Sequence, residues 1–362
     1  MKLNALSATL LAIMLAGCAS KNSVSSAPEA AAPAAAAPAA KSGGFLNPPA
    51  GKTTLAQQGR DPAEFPGYVE QLKQKARQQG ISESTLAAAF ANVHFVDRVI
   101  KSDRNQPEQK ITLDDYLARV ITPKKIEMGR SRYQQYQGEL ATISQQYGVP
   151  AQYIVALWGM ESNFGQLQGR EDIISALATL AFEGRRETFF TKELIAALKM
   201  IQQGHISAPE MKGSWAGAMG QNQFMPSSYL NYGADGDGDG KIDIWKNQSD
   251  VFASTANYLA KEGWDAGEGW GREAILPVDF DPQLAGLKTQ QAKTVGEWEK
   301  LGVRFGSSAS LPDTQQRSWI ILPDDVGGRA FLVYDNFRTI MRWNRSYYFA
   351  ISIGKMADAV AQ

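Results

Sequence analysis

The sequence holds one cysteine and two histidines in 362 residues, and these scarcities exclude a good deal. Cys18 lies close to the N-terminus, so the remainder has no cysteine for a thiol nucleophile, a disulfide or a cysteine-based metal site. His94 and His205 are too few for a zinc site or a Ser-His-Asp arrangement, and both read as structural or surface residues. Charge of one sign is also lacking, since Lys plus Arg and Asp plus Glu each number 37. That balance gives no basic footprint for nucleic acid. Beyond the N-terminal leader no apolar run is long enough to span a bilayer. What is present is material for a core: 44% of residues are hydrophobic, with 8 Trp, 12 Tyr and 15 Phe, enough for one large core or two linked ones.

Met1-Lys2 followed by the apolar run Leu6 to Ala16 reads as a signal peptide over residues 1–17. Removing it takes Lys2 and no acid, leaving 36 basic against 37 acidic residues. Leu15-Ala16-Gly17-Cys18 resembles the bacterial lipobox, which implies lipid attachment at Cys18 and an anchor worth ~0.8 kcal/mol per buried CH₂. Ala19 differs from the Asp that commonly follows the cysteine in inner-membrane lipoproteins, so the expected place is the outer membrane, facing the periplasm. Residues 18–60 are then a tether, because the stretch from Lys21 to Gly51 is dominated by Ala, Pro, Ser and Gly and cannot build a core.

The folded region is expected over residues 61–355 and opens with helical periodicity. Phe65, Val69, Leu72 and Ala76 share one stripe, and Ser82 to Val93 reads as a second helix with Ser or Thr near its start. Ile126, Tyr133, Tyr136, Leu140, Ile143 and Tyr147 predict one long amphipathic helix from Lys124 to Tyr147, ending at Gly148, with the tyrosines in the core. Farther along, about 274–322, short β-type runs such as Trp319 to Leu322 among Gly, Pro and Asp predict a small β-containing subdomain, and Met341 to Ser352 a final helical segment. The expected class is α+β, mainly α.

After Pro150, Ile154, Leu157 and Trp158 lie on one helical face, and Glu161 follows three and four positions beyond the last two. A carboxylate on an apolar face is desolvated, and this one also lies near the negative end of its helix. Both effects raise its pKa, which suits a general acid that must hold a proton near neutral pH. From spacing alone, an acid paired with Lys or Arg remains equally open.

Trp158-Gly159-Met160-Glu161-Ser162-Asn163-Phe164-Gly165 resembles the catalytic glutamate motif of lytic transglycosylases. The block Gly213 to Tyr229, with Gly217-Ala218-Met219-Gly220-Gln221-Asn222-Gln223-Phe224-Met225-Pro226 at its centre, is similar to a second stretch of that superfamily. Together with Ile174 to Phe182, the helix running to Tyr258 and the stretch Asn336 to Ala350, they resemble the membrane-bound lytic murein transglycosylase B family over roughly residues 60–355. The resemblance implies a lysozyme-like catalytic core beside a helical subdomain and the small β subdomain. It implies a catalytic Glu161 and a glycan groove lined by Ser214, Gln223, Phe224, Tyr116, Tyr258 and Asn344. Trp343 and Phe349 stand where tyrosines are expected, so stacking by Trp343 can persist while hydroxyl hydrogen bonds are lost. On residue chemistry alone, the small residues of the second block allow close backbone approach, Gln223 and Ser214 offer hydrogen bonds, and Phe224 a stacking face.

Asp235-Gly236-Asp237-Gly238-Asp239-Gly240-Lys241-Ile242-Asp243 fits the first nine positions of an EF-hand calcium loop. Asp235, Asp237 and Asp239 would give side-chain oxygens and Lys241 its carbonyl. The twelfth position is Lys246 where a bidentate Glu belongs, which leaves Asp250 as the nearest carboxylate to close a longer loop over residues 235–250. Structural Ca²⁺ is the expected cofactor, and no organic cofactor is expected.

Ordinary glycosidases use two carboxylates. Glu171, Asp172 and Glu183 follow Glu161, yet nothing in the sequence sets any of them across a sugar ring. The resemblance implies a solution for a single acid, in which Glu161 protonates the oxygen bridging MurNAc and GlcNAc and then takes the proton of the MurNAc 6-hydroxyl, leaving a 1,6-anhydromuramoyl end. The expected partners are peptidoglycan strands, the membrane through the N-terminal lipid, and enzymes of wall synthesis or degradation; nucleic acid is not among them. A murein-binding lipoprotein without activity and a hydrolytic muramidase are the alternatives.

Overall fold

A computed structural model describes residues 59–104, 111–306, 313–325 and 327–362. The expected signal peptide, Cys18 and the tether up to residue 58 lie outside the described residues. No helix among the described residues is long and apolar enough to cross a membrane.

The chain folds as a mainly helical α+β structure. Helix α1 (Phe65–Gln78) buries Phe65, Val69, Leu72 and Ala76 on one stripe. Ser82 caps α2 (Glu83–Phe90), its hydroxyl accepting the Thr85 amide at 3.2 Å. Helices α3 (Asp97–Arg104) and α4 (Leu113–Val120) follow. The single helix predicted from Lys124 to Tyr147 is two, α5 (Pro123–Gln135) and α6 (Gln137–Tyr147). Tyr136 breaks the run with φ −107° and ψ 20°, and its ring packs edge-on against Trp158 and Phe252 at 5.8 and 5.4 Å. A straight helix has no means of turning that ring out of its own stripe.

Helix α7 (Ala151–Ser162) is the centre of the molecule, and every residue except Gln152 is buried. Its run Tyr153-Ile154-Val155-Ala156-Leu157-Trp158 is apolar on all sides, as a helix surrounded by others requires. It packs on α5 and α6 and on two later helices, α11 (Gln248–Lys261) and α14 (Tyr347–Val360). Between these come the two-residue strand β1 (Glu171–Asp172), the buried α8 (Ile173–Glu183), α9 (Glu187–Gln202), β2 (Lys212–Gly213) and the short α10 (Pro226–Tyr232). Strands β1 and β2 pair antiparallel. Where α3 meets α8, the buried acids Asp103 and Glu183 are bonded by Arg104, Arg185 and Arg186, which neutralises both charges inside the packing.

The β part comprises β3 (Gly271–Ile275), β4 (Lys293–Thr294), β5 (Arg304–Phe305), β6 (Arg317–Ile321) and β7 (Ala330–Val333), in the order β4-β6-β7-β3-β5, all antiparallel. These strands span 271–333, wider than the 274–322 read from the sequence. Trp319, Ile321, Phe331 and Val333 face the main core, while Ile320, Ala330 and Leu332 face a second, small core with Trp298 of α12 (Val295–Lys300). Both faces are covered, which explains the unbroken apolar runs. Each Ile, Leu, Val and Phe among them contributes roughly 1.5–3 kcal/mol by leaving water. The final segment is also two helices, α13 (Asp335–Trp343) and α14, parted at Asn344, whose backbone is extended. Ser346 caps α14 by accepting the Phe349 amide at 3.3 Å, so the second helix has its own start.

Candidate active site

Glu161 lies in the last turn of α7 and is 2% exposed. The helix stops two residues later because Asn163 and Phe164 take left-handed conformations, with φ 49° and 58°. That turn folds the Phe164 ring back over Gly159, where a Cβ would overlap it, so the glycine of the motif is required by close approach. Backbone strain held at such a turn is typical of a working site.

Among the described residues the carboxyl has a single hydrogen-bond partner. Trp343, the last residue of α13, donates its indole Nε1–H to Glu161 Oε1 at 2.8 Å. Oε2 is buried without a partner among the described residues. Among the described residues neither oxygen meets Lys or Arg, which speaks against the ion-paired reading left open by the spacing. Burial pushes the Glu161 pKa up to about 8, against the opposing pull of the Trp343 hydrogen bond. A shift in this direction favours the protonated form.

An aromatic wall stands on the Trp343 side. Its ring lies 4.6 Å from Tyr258 of α11 and 5.2 Å from Phe224, and Tyr232 of α10 extends the row at 4.3 Å from Tyr258. Tyr116 of α4 is close enough for the charge of Glu161 to act on it, and burial holds its hydroxyl above the ordinary pKa. The structure thus brings Trp343 to Glu161, sets Phe224 and Tyr258 against the Trp343 ring, and leaves Tyr116 within reach of the Glu161 charge. Ser214, Gln223 and Asn344 each bond to backbone. Ser214 Oγ accepts the Ala218 amide at 3.0 Å, Gln223 donates to the carbonyls of Gly220 and Gln168 at 2.9 and 3.2 Å, and Asn344 Oδ1 accepts the Ser346 amide at 3.2 Å. Phe349 is buried.

Two residues essential to this geometry were missed in the sequence. Gln221 Oε1 accepts the Trp158 indole N–H at 2.7 Å while its Nε2 donates to the Trp245 carbonyl at 3.0 Å. Glu193 of α9 accepts both the amide and the hydroxyl of Ser227, at 2.9 and 2.8 Å, and so fixes the start of α10 just beyond Phe224. Gln221 falls inside the second motif block, but no periodicity marks it; Glu193 reads as an ordinary helical acid.

In the acidic loop, Asp235, Asp237 and Asp250 have carboxylate oxygens all within 4.8 Å of one another. Asp250 is fully buried at the start of α11, and its two oxygens accept the Gly236 and Asp243 amides at 2.8 and 2.6 Å. Asp239 does not join the cluster; its side chain accepts the Lys241 amide at 2.8 Å. Lys246 turns away toward Glu210, 3.9 Å distant. Gly236 is needed for close approach, since a Cβ there would overlap the Ser249 carbonyl. Three converging carboxylates without a neutralising Lys or Arg among the described residues form a hard, all-oxygen donor set that fits Ca²⁺.

The model of the family described as "Transglycosylase SLT domain" matches residues 64–358. The chain belongs to this transglycosylase family. It is 32% identical, over 331 residues, to membrane-bound lytic murein transglycosylase B of Escherichia coli strain K12, with 88% of this chain and 89% of the relative covered. Among solved structures it resembles SltB3 from Pseudomonas aeruginosa in complex with NAG-anhNAM-pentapeptide, with TM-score 0.78 and 42% identity over 82% of this chain and 79% of that one. The Escherichia coli lytic transglycosylase Slt35 in complex with calcium is similar too, with TM-score 0.71 and 31% identity over 85% and 96% of the two chains. Membership makes the helical core lysozyme-like, with the transglycosylase match running through the β part as well.

Proposed function

We propose that this chain is a peptidoglycan lytic transglycosylase that cleaves the β-1,4 bond between MurNAc and GlcNAc, with Glu161 as general acid and then general base. The observation that carries the reading is the buried carboxyl of Glu161, bonded among the described residues to Trp343 alone, with burial raising its pKa.

Glu161 gives its proton to the bridging oxygen, the C1–O bond breaks, and GlcNAc leaves with a free 4-hydroxyl. The 2-acetamido oxygen of MurNAc stabilises the cation at C1. Ionised Glu161 next takes the proton from the MurNAc 6-hydroxyl as O6 bonds to C1, so a 1,6-anhydro ring closes and Glu161 is protonated again. No water is consumed. The role of Trp343, Phe224 and Tyr258 is to provide the apolar wall against which sugar rings lie, with Tyr116 on another helix near the same carboxyl. Ser214, Gln223 and Asn344 support that wall through the backbone.

Asp235, Asp237 and Asp250 would hold a structural Ca²⁺ and so tie the loop to the first turn of α11, the helix that carries Tyr258. The calcium-bound relative supports this. The membrane-bound relative supports association with the membrane, in our reading through lipid on Cys18 at the periplasmic face of the outer membrane.

The test is mass spectrometry of muropeptides released from purified sacculi by the form lacking residues 1–18, beside Glu161→Gln. Anhydro-muropeptides from the native form and none from the variant are expected. Reducing ends would make the chain a hydrolase. Sacculus binding without release by either form would leave a wall-binding lipoprotein.

A further inference from the structure

The bond between Trp343 and Glu161 has a direction that the chemistry of indole fixes. Indole Nε1 has a hydrogen to give and no lone pair to accept one. With Nε1 2.8 Å from Oε1, that oxygen is the acceptor whether Glu161 is ionised or not. The carbonyl oxygen of an acid is the better acceptor, which places the carboxyl proton on Oε2, and that oxygen is buried and meets no other polar group among the described residues. The indole is itself held, between Tyr258 at 4.6 Å and Phe224 at 5.2 Å, and the chain turns directly after it at buried Asn344.

We infer that Trp343 is a positioning residue that confines the acidic proton of Glu161 to Oε2 and aims that oxygen at the substrate. The inference rests on Glu161 being the acid and base. The aromatic stack orients the indole, and the indole orients the carboxyl. When the proton has left, the same N–H stabilises the carboxylate for the second half of the cycle, and it restrains how far burial lifts the pKa. Among the described residues the titratable groups facing this pair are Tyr116 of α4 and Tyr258 of α11, both lifted by burial above the ordinary tyrosine value. Neither changes charge in the range where Glu161 titrates. A tryptophan that only stacked on sugar would leave the carboxyl unaffected.

The experiment compares the native chain with Trp343→Phe and with benzothienylalanine at position 343, which keeps the shape of indole and replaces its N–H by sulfur. Two quantities are read: the Glu161 pKa, from the titration of its ¹³C-labelled carboxyl, and the pH profile of kcat/KM on soluble glycan strands. Loss of the N–H is expected to raise the Glu161 pKa by about one unit and to move the alkaline limb of the profile up with it. At the optimum, kcat should fall about tenfold with KM within twofold. A carboxyl titration that stays in place in the benzothienyl form, or a loss confined to KM, overturns the inference. Absence of anhydro products from the native chain while the titration still shifts removes the lytic reading alone and supports the hydrogen bond's control of the carboxyl.

Discussion

The indole N–H of Trp158 is bonded to Gln221 Oε1 at 2.7 Å inside the core, one turn before Glu161. Through it, the helix that carries Glu161 is tied to the loop that carries Gln223 and Phe224. The same amide donates to the Trp245 carbonyl and accepts from Gln248, so it serves three segments at once. Gln221→Leu removes every one of these bonds and leaves the buried Trp158 indole N–H unpaired, while the Trp245 carbonyl keeps its bond from Gln168 at 3.1 Å. The expected cost is about 3 kcal/mol, read as a lower urea midpoint at unchanged slope. An unchanged midpoint would mean that the network does not brace the site.

Glu161 makes stability depend on pH in a definite sense. Its carboxyl titrates near 4.5 in an ordinary setting and at about 8 in the fold. Between these values the folded form keeps a proton that the unfolded chain has lost, so stability falls as pH rises from 4.5 to about 8. The contribution is fully present below that window and gone above it. Glu161→Gln is neutral throughout. Its melting temperature should therefore gain on the native value as pH is raised from 5 to 9, and a constant difference between the two across that span would show that burial does not lift this carboxyl.

What could be seen of this in the sequence depended on how local the cause was. Glu161 was legible because a helix alone puts it beside the apolar positions Leu157 and Trp158. The stripe of α1 was legible for the same reason. The break at Tyr136 was not, because it answers to Trp158 and Phe252, which belong to other helices. Trp343 could be recognised as a ring at the groove, but the aim of its N–H is set by α13 and by two neighbouring rings. Asp250 was legible as the next carboxylate beyond the loop, whereas Asp239, which fits the loop pattern by spacing, stays outside the cluster of Asp235, Asp237 and Asp250.

Calcium should raise the melting temperature of the native chain, because the ion would bind only the folded loop. At a hundredfold excess over Kd the gain is about 2.7 kcal/mol, or roughly 4 °C for a domain of this size. Asp250→Asn keeps the shape of the buried side chain and removes its charge, so the calcium response should vanish in that variant. Scanning calorimetry in calcium and in a chelator checks this. Equal melting temperatures of the native chain in the two solutions would count against an occupied loop.

Glu193 is 3% exposed and spends both carboxylate oxygens on Ser227, the second residue of α10. The first amides of a helix have no partner within it, so this acid on α9 acts as a cap supplied from a distance. Phe224 lies two residues before Pro226, where α10 begins, and its ring leans on Trp343 at 5.2 Å. A loose start to α10 is therefore felt in the aromatic wall before it reaches the carboxyl of Glu161. Glu193→Ala should cost about 2 kcal/mol by urea denaturation, and Glu193→Gln, which keeps one acceptor, about half of that. On soluble glycan strands both variants should raise KM severalfold while kcat falls less. Were kcat to collapse at unchanged KM, the cap would be acting on the acid itself and not on the wall that holds the sugar.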